Sequence, residues 1–228
     1  MNKTLLLATA AVVALSAGGA SAVPVASFWG KSSPFHIPEN AQVLYNQNSN
    51  FTGEAIDSQN FTSSMFSTYD DQGADDFVVP KGVTWTITEV DVAGQYFNGA
   101  GPATSENVVF YSNYKVFDRP GKVLKKFKNL KGGGLGTSAA SFAIAPPDGG
   151  VTLASGHYWV SVIANLDFNK GGEWGWDVSS VQHGDLAMWR NPCPQECGLC
   201  QNWDTIQDCT GVSAPDFMFD LQGTSKRE

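Results

Sequence analysis

Charged side chains make up only 16% of this 228-residue sequence, and basic ones are the scarcer kind, 14 Lys plus Arg against 22 Asp plus Glu. The formal net charge of −8 leaves no general cationic field to gather phosphates. That argues against nucleic acid or an anionic membrane as the main partner. Catalytic signatures are missing too. There is no Gly-x-Ser-x-Gly elbow and no H-E-x-x-H pair, and the three histidines, His36, His157 and His183, are isolated from one another. His157 opens an apolar run and reads as a structural or surface residue. The glycine-rich segment 131–136 lacks the Gly-Lys-Ser/Thr that completes a phosphate loop, so it reads as a hairpin loop. What is abundant points the other way: 12% aromatics and 24 Gly do not suit a disordered chain.

The first residues read as an address. Met1-Asn2-Lys3 supplies a positive start, an apolar run follows from Leu5 to Leu15, and Ala20-Ser21-Ala22 is an A-x-A cleavage signature. The run falls short of the ~20 residues a membrane-spanning helix needs, so a cleaved signal peptide over 1–22 is expected rather than an anchor. No later segment is apolar enough to span a bilayer. The mature product is expected to be secreted or extracellular.

Residues 23–40, with three prolines and no periodicity, read as a linker. From residue 41 short apolar runs are separated by Gly, Asn, Asp and Pro. Strands are expected near 42–46, 75–79, 83–92, 107–112, 122–128, 141–145, 157–164, 173–178, 186–190 and 216–222. Within 83–92 the apolar positions are odd through Ile87 and even at Val90 and Val92, a phase flip of the kind a β-bulge produces. About ten short strands predict an all-β fold, a β-sandwich of jelly-roll type over 41–224, with 225–228 as a tail.

Four cysteines, Cys193, Cys197, Cys200 and Cys209, cluster near the end. A four-thiolate zinc site is one reading, but only one C-x2-C knuckle is present, and export favours two disulfides.

Several motifs occur together: Leu44-Tyr45-Asn46-Gln47, Gly73-Ala74-Asp75-Asp76-Phe77-Val78-Val79-Pro80, Trp85-Thr86-Ile87, Tyr158-Trp159-Val160-Ser161-Val162, Trp174-Gly175-Trp176, Trp189-Arg190-Asn191-Pro192 and Pro215-Asp216-Phe217-Met218-Phe219. As a set, spanning residues 42–224, they resemble an uncharacterised family of exported bacterial β-sandwich modules, often appended to larger secreted proteins. The resemblance implies export and a sandwich and brings no catalytic residues. It also implies that Cys200 and Cys209 close a loop around Trp203, leaving Cys193 to pair with Cys197.

Three residue groups carry candidate chemistry. Asp70, Asp71, Asp75 and Asp76 place four carboxylates in seven residues, either as oxygen ligands for a structural calcium ion or as an Asp-rich turn entering a strand. Arg119, Lys122, Lys125, Lys126, Lys128 and Lys131 are either a patch for an anionic polysaccharide or a lysine-studded edge strand. Trp174 and Trp176 are two apart, so in a strand both rings project from one face. They either stack on sugar rings, with Trp189 and Trp203 extending the platform, or fill the core. The expected function is a non-catalytic exported binding module for carbohydrate or a cell-surface polymer. The alternatives are an extracellular structural or protein-interaction domain and, behind both, a hydrolase.

Overall fold

A computed structural model describes residues 41–135, 140–192 and 200–228. The expected signal peptide and linker, and the expected Cys193–Cys197 bridge, lie outside those residues. Within them the chain is an all-β sandwich with two short helices. In chain order the strands are β1 (Gln42–Asn46), β2 (Phe51–Asp57), β3 (Gln59–Phe61), β4 (Gln72–Val79), β5 (Val83–Val92), β6 (Gly94–Phe97), β7 (Ser105–Asn113) and β8 (Pro120–Leu130). They continue with β9 (Phe142–Ile144), β10 (Val151–Leu153), β11 (Gly156–Leu166), β12 (Glu173–Ser179), β13 (Met188–Arg190), β14 (Asp204–Thr205), β15 (Asp216–Phe217) and β16 (Phe219–Arg227). The helices are α1 (Phe168–Gly171) and α2 (Ile206–Thr210).

Three sheets form. A five-stranded sheet runs β1-β16-β5-β10, with β9 also on β5; a seven-stranded one runs β14-β13-β4-β11-β7-β8, with β3 on β11; a four-stranded one runs β15-β12-β2, with β6 on β12. The pairings are antiparallel except β3 with β11. One apolar core joins the inward faces, including Phe77, Val90, Phe110, Val160, Trp176 and Phe219.

The phase flip in β5 corresponds to a bulge. Glu89 faces Gln222 and Ile87 faces Gly223, so Thr88 is the extra residue, and Trp85, Ile87, Val90 and Val92 all reach the core. The strands missing from the periodicity are the short or mixed ones, β2, β3, β6, β10 and β14. In β2 the first three residues are exposed and Gly53 interrupts them, so no alternation marks the strand. The boundary expected at 224 moves as well: β16 continues to Arg227, paired with Val83 of β5.

The tandem tryptophans show how a correct local reading met a different burial. Trp174 and Trp176 do share one face of β12, and that face is interior; both side chains are fully buried. Trp174 packs 5.2 Å from Phe142 and donates its Nε1–H to the Ala140 carbonyl at 2.7 Å. Trp176 stacks on Phe217 at 4.6 Å and donates to the Met218 carbonyl at 2.8 Å. Asp177, the next residue, is itself buried and accepts from the Gln95 amide at 2.9 Å. These rings form no sugar platform. Replacing either Trp174 or Trp176 by Ala is expected to cost about 3–5 kcal/mol of stability, read as a lowered urea midpoint; an unchanged midpoint would contradict the packing.

Candidate functional site

The seven-stranded sheet has a second covered face. Alternation along β4 turns Phe77 and Val79 to the main core and Gln72, Ala74 and Asp76 outward. In β11 His157, Trp159, Ser161 and Ile163 point outward, and in β7 Val109, Tyr111 and Asn113 do so. Met188 and Trp203 lie over this face in a small second core with Ala74, Val109, Tyr111, Trp159 and Ile163. The covering segment is tied down by β13 pairing with β4 and β14, and by the Cys200–Cys209 disulfide. Helix α2 starts where Thr205 accepts from the Asp208 N–H.

Polar groups under this cover satisfy one another. The Gln72 amide donates to the Tyr111 hydroxyl (2.7 Å) and the Ser161 hydroxyl (2.9 Å). Its Oε1 accepts twice from Arg190, at 2.6 and 3.1 Å. The Arg190 guanidinium lies 4.3 Å from the centre of the Trp203 ring, and Tyr111 meets that ring edge-on at 5.8 Å. Trp203 is therefore 8% exposed and its face is taken. Trp189 is half-buried against the main core and donates to the Asp57 carbonyl at 2.7 Å. Of the four tryptophans expected at a ligand, Trp174, Trp176 and Trp203 are buried and Trp189 is half-buried, whereas Tyr114 and Phe117, described below, are exposed.

At one end of the same face Asp76, His157 and Asp185 meet. His157 Nε2 is 2.7 Å from Asp76 Oδ2 and 3.6 Å from Asp185 Oδ2. Asp76 is buried, and its Oδ1 accepts the Asp185 N–H at 2.9 Å. Gly184 makes this approach possible: a Cβ there would lie 2.6 Å from Asp76 Oδ2, and its φ of +112° disfavours other residues. Three ligand-type atoms so close suit a divalent ion such as zinc by composition. The hydrogen bonds around His157 do not. Trp159 Nε1, which can only donate, bonds Asn113 Oδ1 at 3.0 Å and so fixes that amide's orientation. Asn113 Nδ2 then donates to His157 Nδ1 at 2.9 Å. The imidazole proton must sit on Nε2, where it bonds Asp76. Metal ligation through Nε2 would move that proton to Nδ1, against the Asn113 amide, so the residues present do not fit the ion. His157 has neither a free lone pair for general-base work nor, among its hydrogen-bond partners, a nucleophile. The bond to Asp76 raises the His157 pKa, burial opposes it, and the charges of Asp76, Asp185 and Asp118 add to the rise.

The acidic segment 70–76 does not converge on an ion. Asp70 accepts from the Phe61 N–H (2.8 Å) and Asp71 from the Gln59 N–H (2.9 Å), both in β3. Asp75 points inward and accepts from the Gln47 amide (2.6 Å) and the Phe217 N–H (2.7 Å), while Asp76 points outward to His157. Strand alternation separates the last two, so the four carboxylates stitch β3, β4, β15 and the loop after β1 rather than share a ligand. The basic run is split likewise. Lys126 faces outward with Arg190 and Lys128 near it, whereas Lys125 lies over the inward Phe127 ring at 5.3 Å. Strand β8 ends its sheet, so its lysines stud an edge.

Beside His157 the β7–β8 hairpin carries an aromatic tip that sequence reasoning passed over. Asn113 holds the hairpin base through Asp118 (2.8 Å), and Tyr114 N–H bonds the Arg119 carbonyl at 2.9 Å. Tyr114 is 44% exposed and Phe117 61%, with ring centroids 5.9 Å apart. The Arg119 guanidinium lies 4.8 Å from the Phe117 ring centre and 5.7 Å from that of Tyr114, and donates to the Trp203 carbonyl at 3.4 Å. The available signal was a turn between two strands, 114–119, with three large apolar residues where polar ones are usual. No protein-family model, curated protein or solved structure matches the chain.

Carboxyl groups whose burial outweighs any cation nearby recur through the molecule. Burial pushes Glu106 and Asp177 up to about 7. Asp216 rises to about 6, chiefly by burial and opposed by the His183 N–H. Asp91 rises to about 9 by burial, then by the charges of Asp220 and Glu89. Each holds its proton to higher pH when folded than when unfolded. Each therefore supports the fold fully below the ordinary carboxyl range near about 4 and loses that support as pH rises through its folded value. In metal-free buffer the melting temperature is expected to fall steadily from pH 5 to pH 9. A midpoint that climbs over that range would overturn this.

Proposed function

We propose that this chain is an exported, non-catalytic binding module for carbohydrate, with its contact surface at the β7–β8 hairpin. The observation that carries this reading is the exposed Tyr114–Phe117 pair, braced by Arg119 and bordered by Asp118, Asp185 and His157. Rigid aromatic rings offer apolar faces that match those of sugar rings at small entropic cost, and planar carboxylate, imidazole and guanidinium groups at the rim suit hydroxyls. The Cys200–Cys209 disulfide supports export, because such bonds persist in oxidising compartments. Hydrolysis finds less support, since both nitrogens of His157 are already engaged. The protein-interaction alternative draws on Val116, 68% exposed at the same tip.

The test is a glycan array and sedimentation with insoluble polysaccharides, using the wild type and a Tyr114→Ala/Phe117→Ala variant. Loss of binding at an unchanged melting temperature is expected, because exposed substitutions usually cost within about 0.5 kcal/mol. A wild type that binds no glycan, or a variant that binds equally well, overturns the reading.

A further inference from the structure

A second group of acids lies on the five-stranded sheet. In the β5–β16 ladder Asp91 is directly across from Asp220, and Glu89 from Gln222. Alternation places these four on one face, while Val90, Val92, Phe219 and Leu221 fill the core from the other. Strand β1 borders β16 with Asn46 across from Asp220. The turn after β1 is held by Gln47 N–H on the Phe219 carbonyl and Asn48 N–H on Asn46 Oδ1, both at 2.9 Å. That turn brings the Asn48 side chain to Asp220. Asp91 is wholly buried, and Asp220 is 6% exposed. Oδ1 of Asp91, Oδ1 of Asp220 and Oδ1 of Asn48 are each buried, and none accepts a hydrogen bond. Gln222 donates to Asp91 Oδ2. Among the described residues no Lys, Arg or His forms an ion pair with this group.

Buried acceptors are ordinarily satisfied, and buried carboxylates ordinarily meet a cation or take up a proton. Here one oxygen from each of two carboxylates and an amide oxygen, brought together by two paired strands and the turn after β1, lack a donor, while the remaining oxygens are met by the Gln222 and Asn48 amides and by the Asp91–Asp220 contact. We propose that Asp91, Asp220 and the Asn48 amide oxygen hold a calcium ion, with Glu89 at its rim. The donor set is oxygen alone, which selects a hard cation over zinc or copper. A mixture of carboxylates and a neutral amide oxygen on irregular backbone suits calcium's flexible coordination better than magnesium's strict octahedron. The ion would clamp the turn after β1 to the strand that ends the domain.

The test takes the full chain, treated with EDTA and exchanged into metal-free buffer at pH 7.5. Calorimetric titration with calcium chloride is expected to show one site with a dissociation constant of about 10⁻⁴ M or tighter. Calcium at 5 mM should raise the melting temperature by roughly 5–9 °C, and magnesium by less. Asp220→Asn and Glu89→Gln should weaken the response, the first most, while Asp185→Asn at the His157 site keeps it. Absence of both heat and melting response in the wild type overturns the proposal. So does a response lost in Asp185→Asn. If Asp91→Asn is more stable than a calcium-insensitive wild type, the pair shares a proton instead and the proposal fails.

Discussion

Covering the seven-stranded sheet on both faces is the constraint from which most of the structure follows. Strands β4 and β11 sit in its middle, so nearly every side chain they carry must find an apolar neighbour or a hydrogen-bond partner. Inward, Phe77, Val160 and Val162 join the main core. Outward, the polar residues bond one another in chains, Arg190–Gln72–Tyr111 in the centre and Trp159–Asn113–His157–Asp76 at the end. Those chains fix amide orientations and a histidine tautomer, and thereby decide which groups remain free for a ligand.

The same burial explains the unusual acid chemistry. Acids placed at buried strand positions, in the seven-stranded sheet and in β5 of the five-stranded one, cannot turn to solvent, and the chain has too few cations to meet them. Some, such as Asp75, are met by backbone and amide N–H groups. Others, such as Asp91 and Glu106, keep an oxygen without a donor and hold their protons well above the usual range. Hydrogen bonds to N–H groups tie strands together across long sequence distances, which makes the carboxylates part of the scaffold. Asp75 by itself joins the loop after β1 to β4 and to β15.

Aromatic residues divide by the same rule. Most indoles within strands are interior because the sheets close over them, and Trp174, Trp176 and the half-buried Trp189 each find a backbone carbonyl for the N–H. Among the described residues the most accessible rings are at the edges of the sheets, Phe51 at the start of β2 and Tyr114 and Phe117 on the β7–β8 connection. At the β7–β8 hairpin Tyr114 and Phe117 stay exposed, with Arg119 over both rings and bonded to the Trp203 carbonyl of the covering segment. Lysines along β8, the last strand of its sheet, keep that edge from recruiting another strand.

Period-two alternation and turn residues were enough to read the fold class, most strand positions and the bulge at Thr88, because each depends on neighbours within a few residues. The shared face of Trp174 and Trp176 was legible for the same reason. Which face was inward was not, since that depends on Phe142, Phe217 and Phe219 arriving from far along the chain. The Asp-rich segment was visible as a cluster, yet its members diverged once β4 was covered on both sides. The meeting of Asp76, His157, Asp185 and Asn113, and of Asp91 with Asp220 and Asn48, joins residues up to about 170 positions apart. Local periodicity is set by backbone geometry, whereas a site is set by which strands pair, and only the folded sheets decide that.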